Sequence, residues 1–251
     1  MGRHLRNSPQ PLDLAPVLRI PRHPRRTQER LLCANFRVKM TVDSIKLYRM
    51  THIANIPHVL QYGIVHSSSP NRNPHYVSIG DKTLIDFRRT KKILITPERN
   101  IILGDFIPFY FGVRMPMLFV MQKGGNFVEK AYNPEEIVYV AISLKKIIDM
   151  GYLFYFSNGH ATDYLTSFYT PDKVGSIPEL LDWDAIKAHQ WSGEGIETDL
   201  KRRKQAEFLV KQDVAAECIY GYVCYNDNAK ARLLAMGVPE NMIKIFPNAY
   251  Y

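Results

Sequence analysis

Regular alternation of apolar and polar side chains begins at Ile45 and runs to Met50, predicting a first strand over 45–50. Thr51 or Asn55 can cap the short helix that follows, with Pro57 in its first turn and Gly63 at its end. A loop rich in Ser, Asn and Pro spans 66–76, and Tyr76–Ile79 reads as a short strand. Asp81 then caps a helix over 81–92 in which Leu84, Ile85 and Arg88 share one face. That spacing puts Arg88 beside the apolar side, while Arg89, Lys91 and Lys92 form a solvated basic edge. Strand composition returns before Gly112, Pro116 opens a helix, and Gly124-Gly125 closes it. Apolar runs over 137–142 and 152–156 predict strands on either side of a helix over 143–149. A turn over 157–163 follows, then a helix from Trp183. Residues 208–224 read as paired strands, 226–236 as a helix capped by Asn226, and 242–246 as a last strand. Strands and helices therefore interleave in a mixed fold, without an internal repeat.

Composition bounds the class. A hydrophobic fraction of 46% and a charged fraction of 23% over 251 residues are those of a soluble globular protein. The net charge of +9 is uneven, because residues 1–39 carry +7 of it and the remainder only +2. Nucleic-acid binding by the body of the chain must therefore rest on local clusters. Residues 1–39 combine that charge with Pro9, Pro11, Pro16, Pro21 and Pro24 and read as a disordered basic extension. An Arg-rich, acid-poor N-terminus also fits a transit peptide, although the prolines break any amphipathic helix. Met40 offers an alternative start, so the domain is placed at 40–251. Cys33, Cys218 and Cys224 have no metal-ligand spacing and suggest a reducing, cytoplasmic setting. No apolar run approaches the ~18–20 residues of a membrane span.

Familiar catalytic motifs are absent: no phosphate-binding glycine loop, no metal-ligand spacing and no serine-hydrolase elbow. What remains is a dispersed set near element ends: His52, Arg88, Tyr110, His160 and Glu207. Glu207 follows the basic run Lys201, Arg202, Arg203 and Lys204 and precedes the apolar Phe208, Leu209 and Val210. It is either a solvent-facing acid paired with a nearby arginine or an acid held in a partly apolar site, where carboxylates do chemistry. His52 is equally a ligand-binding or a backbone-bonding histidine, and Tyr110 a core or a pocket residue. An arginine with one carboxylate suits transfer from a phosphate-bearing donor, with arginine on phosphate and glutamate on a sugar hydroxyl or a proton.

Four blocks together resemble the DarT family of DNA ADP-ribosyltransferase toxins. They are Leu47–Ile56; Ile79-Gly80-Asp81 leading to Arg88-Arg89; Phe106–Met117; and Arg202–Val210. The resemblance spans 45–250 and leaves out 1–39. It implies an α+β ADP-ribosyltransferase-like fold, a split mixed β-sheet core with surrounding helices. It implies NAD+ as the donor, thymine in single-stranded DNA as the acceptor and a macrodomain antitoxin, DarG, as partner; the absence of metal-ligand spacing, separately, implies no metal. Carried over by motif, Glu207 and Arg88 match the catalytic pair, and His52, Thr51, Asn55, Gly80 and Tyr110 match positions at the NAD+ site. His160 falls in the loop that meets the DNA, with Met117, Lys201, Arg202 and Arg203 expected beside it. Arg88 and Arg89 are adjacent, and the helical face independently favours Arg88. The block after Gly112 reads Val-Arg-Met-Pro-Met where the family pattern is Pro-Arg-Ser-Pro-Met, which bears on base choice. The alternatives are an ADP-ribosyltransferase acting on RNA or protein, and a non-catalytic nucleic-acid-binding module.

Overall fold

The first strand forms as expected and runs slightly longer, as β1 (Lys46–His52). At its end His52 Nδ1 accepts the Ala54 N–H at 3.1 Å and caps a 3-10 turn. That turn leads into α1 (Ile56–Tyr62), which stops at Gly63. Neither Thr51 nor Asn55 caps it. The Asn55 amide bonds Thr51 Oγ1 and also both backbone groups of Val77. With Val77 bonded to that side chain, 76–79 forms no strand and lies outside the sheet, correcting the expected strand there. The protein is described by a computed structural model over residues 40–125, 128 and 130–251. The extension over 1–39 lies outside the described residues.

Asp81 caps α2 (Lys82–Thr90) through the Leu84 N–H. An unanticipated hairpin follows, β2 (Lys92–Thr96) with β3 (Arg99–Ile102). Next come β4 (Ile107–Tyr110), α3 (Pro116–Lys123) and β5 (Ile137–Ser143), the last buried along its whole length. Ser143 caps α4 (Leu144–Asp149), which leads to β6 (Phe154–Ser157) and β7 (Phe168–Tyr169). Short helices α5 (Ile177–Leu180), α6 (Trp183–Lys187) and α7 (Leu200–Lys204) precede β8 (Glu207–Val210). The chain closes with β9 (Ile219–Cys224), α8 (Asp227–Ala235, capped by Asn226) and β10 (Ile243–Ile245).

Eight of these strands form one mixed sheet in the order β10-β9-β5-β1-β4-β8-β6-β7. Only β10 and β9 run parallel; the other neighbours are antiparallel. The expected pairing within 208–224 does not occur. Strand β8 lies between β4 and β6, and β9 between β5 and β10. β8 is buried at every position and β9 at every position but Tyr220, so alternation says little of either partner.

The sheet is nearly divided in the middle. β1 pairs with β5 from Lys46↔Ser143 to His52↔Ile137, but meets β4 only at Tyr48↔Tyr110. Beyond that point Arg49 Nη1 donates to the Pro108 carbonyl at 2.9 Å, a side chain spanning the gap. One face is covered by a continuous core that includes Leu47, Val140, Phe109 and Phe208. The other face carries two separate clusters, one around Met50, Met115 and Tyr139, the other around Leu103, Tyr155 and Leu209. Alternation from Tyr48↔Tyr110 and Tyr110↔Glu207 puts Tyr48, Tyr110 and Glu207 on this second face, where the clusters part.

Candidate active site

Glu207 opens β8 and is 1% exposed. Its backbone N–H bonds Ser157 Oγ at 3.2 Å, and Oε1 accepts from Arg88 Nη1 at 3.1 Å and from the Ala161 N–H at 2.9 Å. Arg88 Nη2 lies 2.9 Å from Oε2 as an ion contact, but neither atom makes a directional hydrogen bond. These are buried polar atoms with capacity to spare, which native proteins rarely leave unused. Burial pushes the Glu207 carboxyl up, yet Arg88, His160 and the Ala161 amide outweigh it and hold the group below the usual carboxylate range. Burial works against the Arg88 charge in the same way, and Glu207 more than restores it.

Arg88 reaches the carboxylate from α2, whose backbone lies against Gly104. A Cβ at Gly104 would sit 2.6 Å from Arg89 Cα, so glycine allows that approach. The helix has no buried residue, and Ile85 is exposed. The apolar face inferred for 84, 85 and 88 is therefore only half-covered, though it did single out the arginine that turns inward. Arg89 points out and pairs with Asp86 at 2.7 Å on the surface.

Tyr110 faces Glu207 across the β4–β8 ladder. Burial first, then the Glu207 charge, raise its phenol far above the ordinary value, so it stays a neutral hydroxyl. Tyr48 and Met117 pack partly buried in the same wall. His52 stands at the end of β1, 3.5 Å from Glu136 and edge-on to Tyr132. Burial keeps its imidazole below the usual pKa despite Glu136. A cavity of about 330 Å³ is lined by Ser78, Gly80, Ile85, Arg89 and Tyr132, joining the His52 side of the site to α2. Thr51 and Asn55 do not reach the Arg88–Glu207 pair. They lie on the other side of β1, clamp Val77, and line a second cavity of about 210 Å³ with Arg49 and Arg72.

His160 lies beside Glu207 in the turn after β6. Burial lowers its pKa against the pull of Glu207, and Nδ1 is 2.7 Å from Thr162 Oγ1. Most of the basic run expected beside the DNA is engaged within the protein. Arg202 pairs with Asp199 at 2.6 Å, and Arg203 with Asp182, Glu197 and Asp199. Lys204 is buried and donates to the Ile186 carbonyl, whereas Lys201 is exposed above the Trp191 ring. Asp199 is the N-cap residue of α7 itself and Asp182 comes from the start of α6, which makes arginine-rich α7 a joint rather than a free patch. Ser157 and Ala161, which hold Glu207, escaped the sequence reading. The Ser-Asn-Gly turn was a visible sign of tight packing, but a backbone amide leaves no mark on residue type.

A mixed sheet parted at its centre, with a strand-borne glutamate held by a helix-borne arginine at the parting, defines an ADP-ribosyltransferase-like fold. No group of metal-ligating side chains occurs among the described residues. The model of one family, described as "ssDNA thymidine ADP-ribosyltransferase, DarT", matches residues 48–251, and the chain belongs to that family. A DNA ADP-ribosyl transferase of Escherichia coli O127:H6 is 27% identical over 187 residues, 74% of this chain and 83% of that protein. The DarT of Thermus sp. 2.9, solved with ADP-ribosylated ssDNA, aligns over 82% of this chain and 96% of its own at 26% identity and a TM-score of 0.69. Its structure with NAD+ gives 25% identity over 82% and 98%, with a TM-score of 0.65. A DNA ADP-ribosyl transferase–DNA ADP-ribosyl glycohydrolase fusion protein of Thermosipho africanus is 24% identical, and this chain spans 48% of it.

Proposed function

We propose that this protein transfers ADP-ribose from NAD+ to thymine in single-stranded DNA, with Glu207 and Arg88 as its catalytic pair. The buried Arg88–Glu207 pair on the parted face of the sheet carries the reading. Its two inward polar atoms, Arg88 Nη2 and Glu207 Oε2, fit a ligand bearing both anionic and hydroxyl groups. Family membership gives that ligand its class.

NAD+ supplies the labile glycosidic bond, so that the C1 carbon of the nicotinamide ribose is the electrophile and neutral nicotinamide the leaving group. Glu207 contributes a fixed negative charge where positive charge develops, and an acceptor for a ribose hydroxyl. The new bond forms from a thymine ring nitrogen to that carbon, and the nitrogen's proton passes to Glu207 or, through it, to solvent. Arg88 keeps Glu207 ionised despite burial and offers Nη2 to a phosphate. His52, with Tyr132 against it, and Gly80 hold the rest of the donor along the cavity that they or their neighbours line. Thr51 and Asn55 serve the donor indirectly, by fixing Val77 and hence the approach to Gly80.

The acceptor must be single-stranded because thymine's reacting edge is paired in duplex DNA. His160 and Met117 border the acceptor side, and Lys201, exposed above the Trp191 ring, offers a cation for the backbone. Tyr164, 91% exposed in the His160 turn, is placed for a neighbouring base to stack on. The chain acts as the toxin of a pair whose partner is the macrodomain antitoxin DarG. No helix among the described residues is long and apolar enough to cross a membrane, and we assign the protein to the cytoplasm with its substrate.

The test is to incubate the purified protein with labelled NAD+ and a single-stranded oligonucleotide containing one thymine, with thymine-free, duplex, RNA and protein controls. Mass spectrometry should place one ADP-ribose on the thymine of the single strand. Label on RNA or protein instead, or no NAD+ turnover, refutes the reading.

A further inference from the structure

We propose that Arg202 is a positioning residue for Glu207, holding the 157–166 turn so that the Ala161 amide stays on the carboxylate, and that it is not a contact to the DNA backbone. This inference rests on the role given to Glu207 above.

The Arg202 guanidinium is already spoken for on every side. Nε and Nη2 lie 2.6 and 2.9 Å from the two oxygens of Asp199. Nη1 reaches Asn158 Oδ1 at 3.3 Å and Thr166 Oγ1 at 3.4 Å, while the Arg202 carbonyl accepts the His160 N–H at 3.0 Å. One residue of α7 thus grips both limbs and the middle of the turn, with its side chain 12% exposed. The turn is built to admit it. A Cβ at Gly159 would stand 2.9 Å from Thr166 Oγ1 and 3.0 Å from Arg202 Cγ, so only glycine lets the side chain pass. Thr166 Oγ1 donates to the His160 carbonyl at 2.8 Å, and Ser157 Oγ donates to the Gly159 carbonyl at 2.7 Å while accepting the Glu207 N–H. What this frame delivers is the Ala161 N–H, 2.9 Å from Glu207 Oε1. A DNA phosphate would have to compete with a bidentate carboxylate for the same fork. A lysine cannot take over, because one ammonium cannot serve Asp199, Asn158 and Thr166 in a fixed plane.

Arg202→Gln tests this. The expected loss is roughly 100-fold in kcat, because a small displacement at a reacting centre costs that much. KM for NAD+ and for the oligonucleotide should stay within about twofold, and the salt dependence of strand binding should be unchanged. The groups facing Glu207 are Arg88 from α2, Tyr110 from β4 and His160 in the turn. Losing the Ala161 donor leaves the carboxylate less stabilised, so the acid limb of the kcat profile should move to higher pH. Arg202→Lys should not rescue it. Gly159→Ala should give the same split, and combined with Arg202→Gln it should cost less than the product of the two losses. An intact kcat with a raised oligonucleotide KM and a salt slope smaller by about one would make Arg202 a phosphate contact and overturn the proposal. Wild-type kinetics for Arg202→Gln would overturn it too. If that variant does not fold, Gly159→Ala decides alone, with the kcat loss and shifted limb in support and a wild-type profile against. Failure of the proposed function would look different, as no transfer to DNA by the unsubstituted chain.

Discussion

Removing Arg88 should change the pH dependence of this protein as well as its rate. In the folded chain burial drives the Glu207 carboxyl towards its neutral form, and Arg88 is the largest opposing influence. In Arg88→Ala the carboxyl keeps its burial and retains the Ala161 amide and His160, so its pKa should rise above the usual carboxylate value. An unpaired buried charge would cost about 3–5 kcal/mol. The carboxyl avoids most of that by binding a proton, at about 1.4 kcal/mol for each pH unit by which its titration moves. Two consequences separate from each other. Wild-type stability from Glu207 is complete above the unfolded carboxylate pKa and is lost as pH falls through the lower folded value. In the variant the sign reverses, because the folded state binds the extra proton, so stability falls as pH rises from the unfolded value through the raised one. The gap in Tm between the two proteins should therefore be smallest in acid and widen towards neutral pH. Residual transfer should climb with pH through the neutral range, where wild type is flat, on top of a loss of at least ~100-fold from the missing contact. Thermal melts at several pH values and transfer to a single-thymine oligonucleotide measure both. Arg89→Ala, which removes an exposed pair with Asp86 and part of the cavity wall but no contact to Glu207, is the comparison; it should keep the wild-type pH profile and lose far less than Arg88→Ala. Parallel pH curves for Arg88→Ala and wild type, or equal losses from the two alanine variants, would refute the electrostatic account of Glu207.

Other outcomes are equally direct. Glu207→Ala should abolish transfer while circular dichroism shows a folded protein; transfer at the wild-type rate would remove Glu207 from the chemistry. Burial, with Arg114 nearby, depresses the buried Lys204 ammonium to about 8, so this residue adds stability as pH rises from there towards the ordinary lysine value. Lys204→Met should flatten that rise in Tm and be more stable than wild type at pH below it, by on the order of a few kcal/mol; an unchanged pH–Tm curve refutes this. A chain lacking residues 1–39 should transfer ADP-ribose as the full chain does, and a large loss would put that basic segment in the substrate site.

Much of the scaffold could be read from short-range pattern. Strand β1, the Asp81 cap of α2, the Pro116 start of α3 and the Asn226 cap of α8 are decided by neighbours in sequence, and they formed where expected. Arg88 was legible because it lies four residues from Leu84 on the side of α2 that turns inward. The errors arose where distant segments decide. Strands β8 and β9 look adjacent along the chain but bond to different neighbours. Residues 76–79 have strand composition, yet the Asn55 side chain took their hydrogen bonds. The hairpin β2–β3 leaves Leu94 largely exposed, which blurs its alternation. Asp182 reaches Arg203 only in the folded chain, whereas the Asp199–Arg202 pair, three residues apart, lay open in the sequence. Residue types in the site were therefore more legible than their duties.

The narrow junction between β1 and β4 has a mechanical consequence. With one backbone register pair, an arginine side chain across the gap and Pro108 offering no amide there, the two halves of the sheet are joined by a seam far weaker than the β1–β5 ladder. Native-state amide exchange should register this as two protection domains that open separately, with β1 and β5 in the slower one and the amides of β4 nearest the seam released first. Whatever lies along the parting and touches both halves then acts as a strut. NAD+ would slow exchange at the seam itself, far more than in β9 or β10, which stand away from it in the sheet.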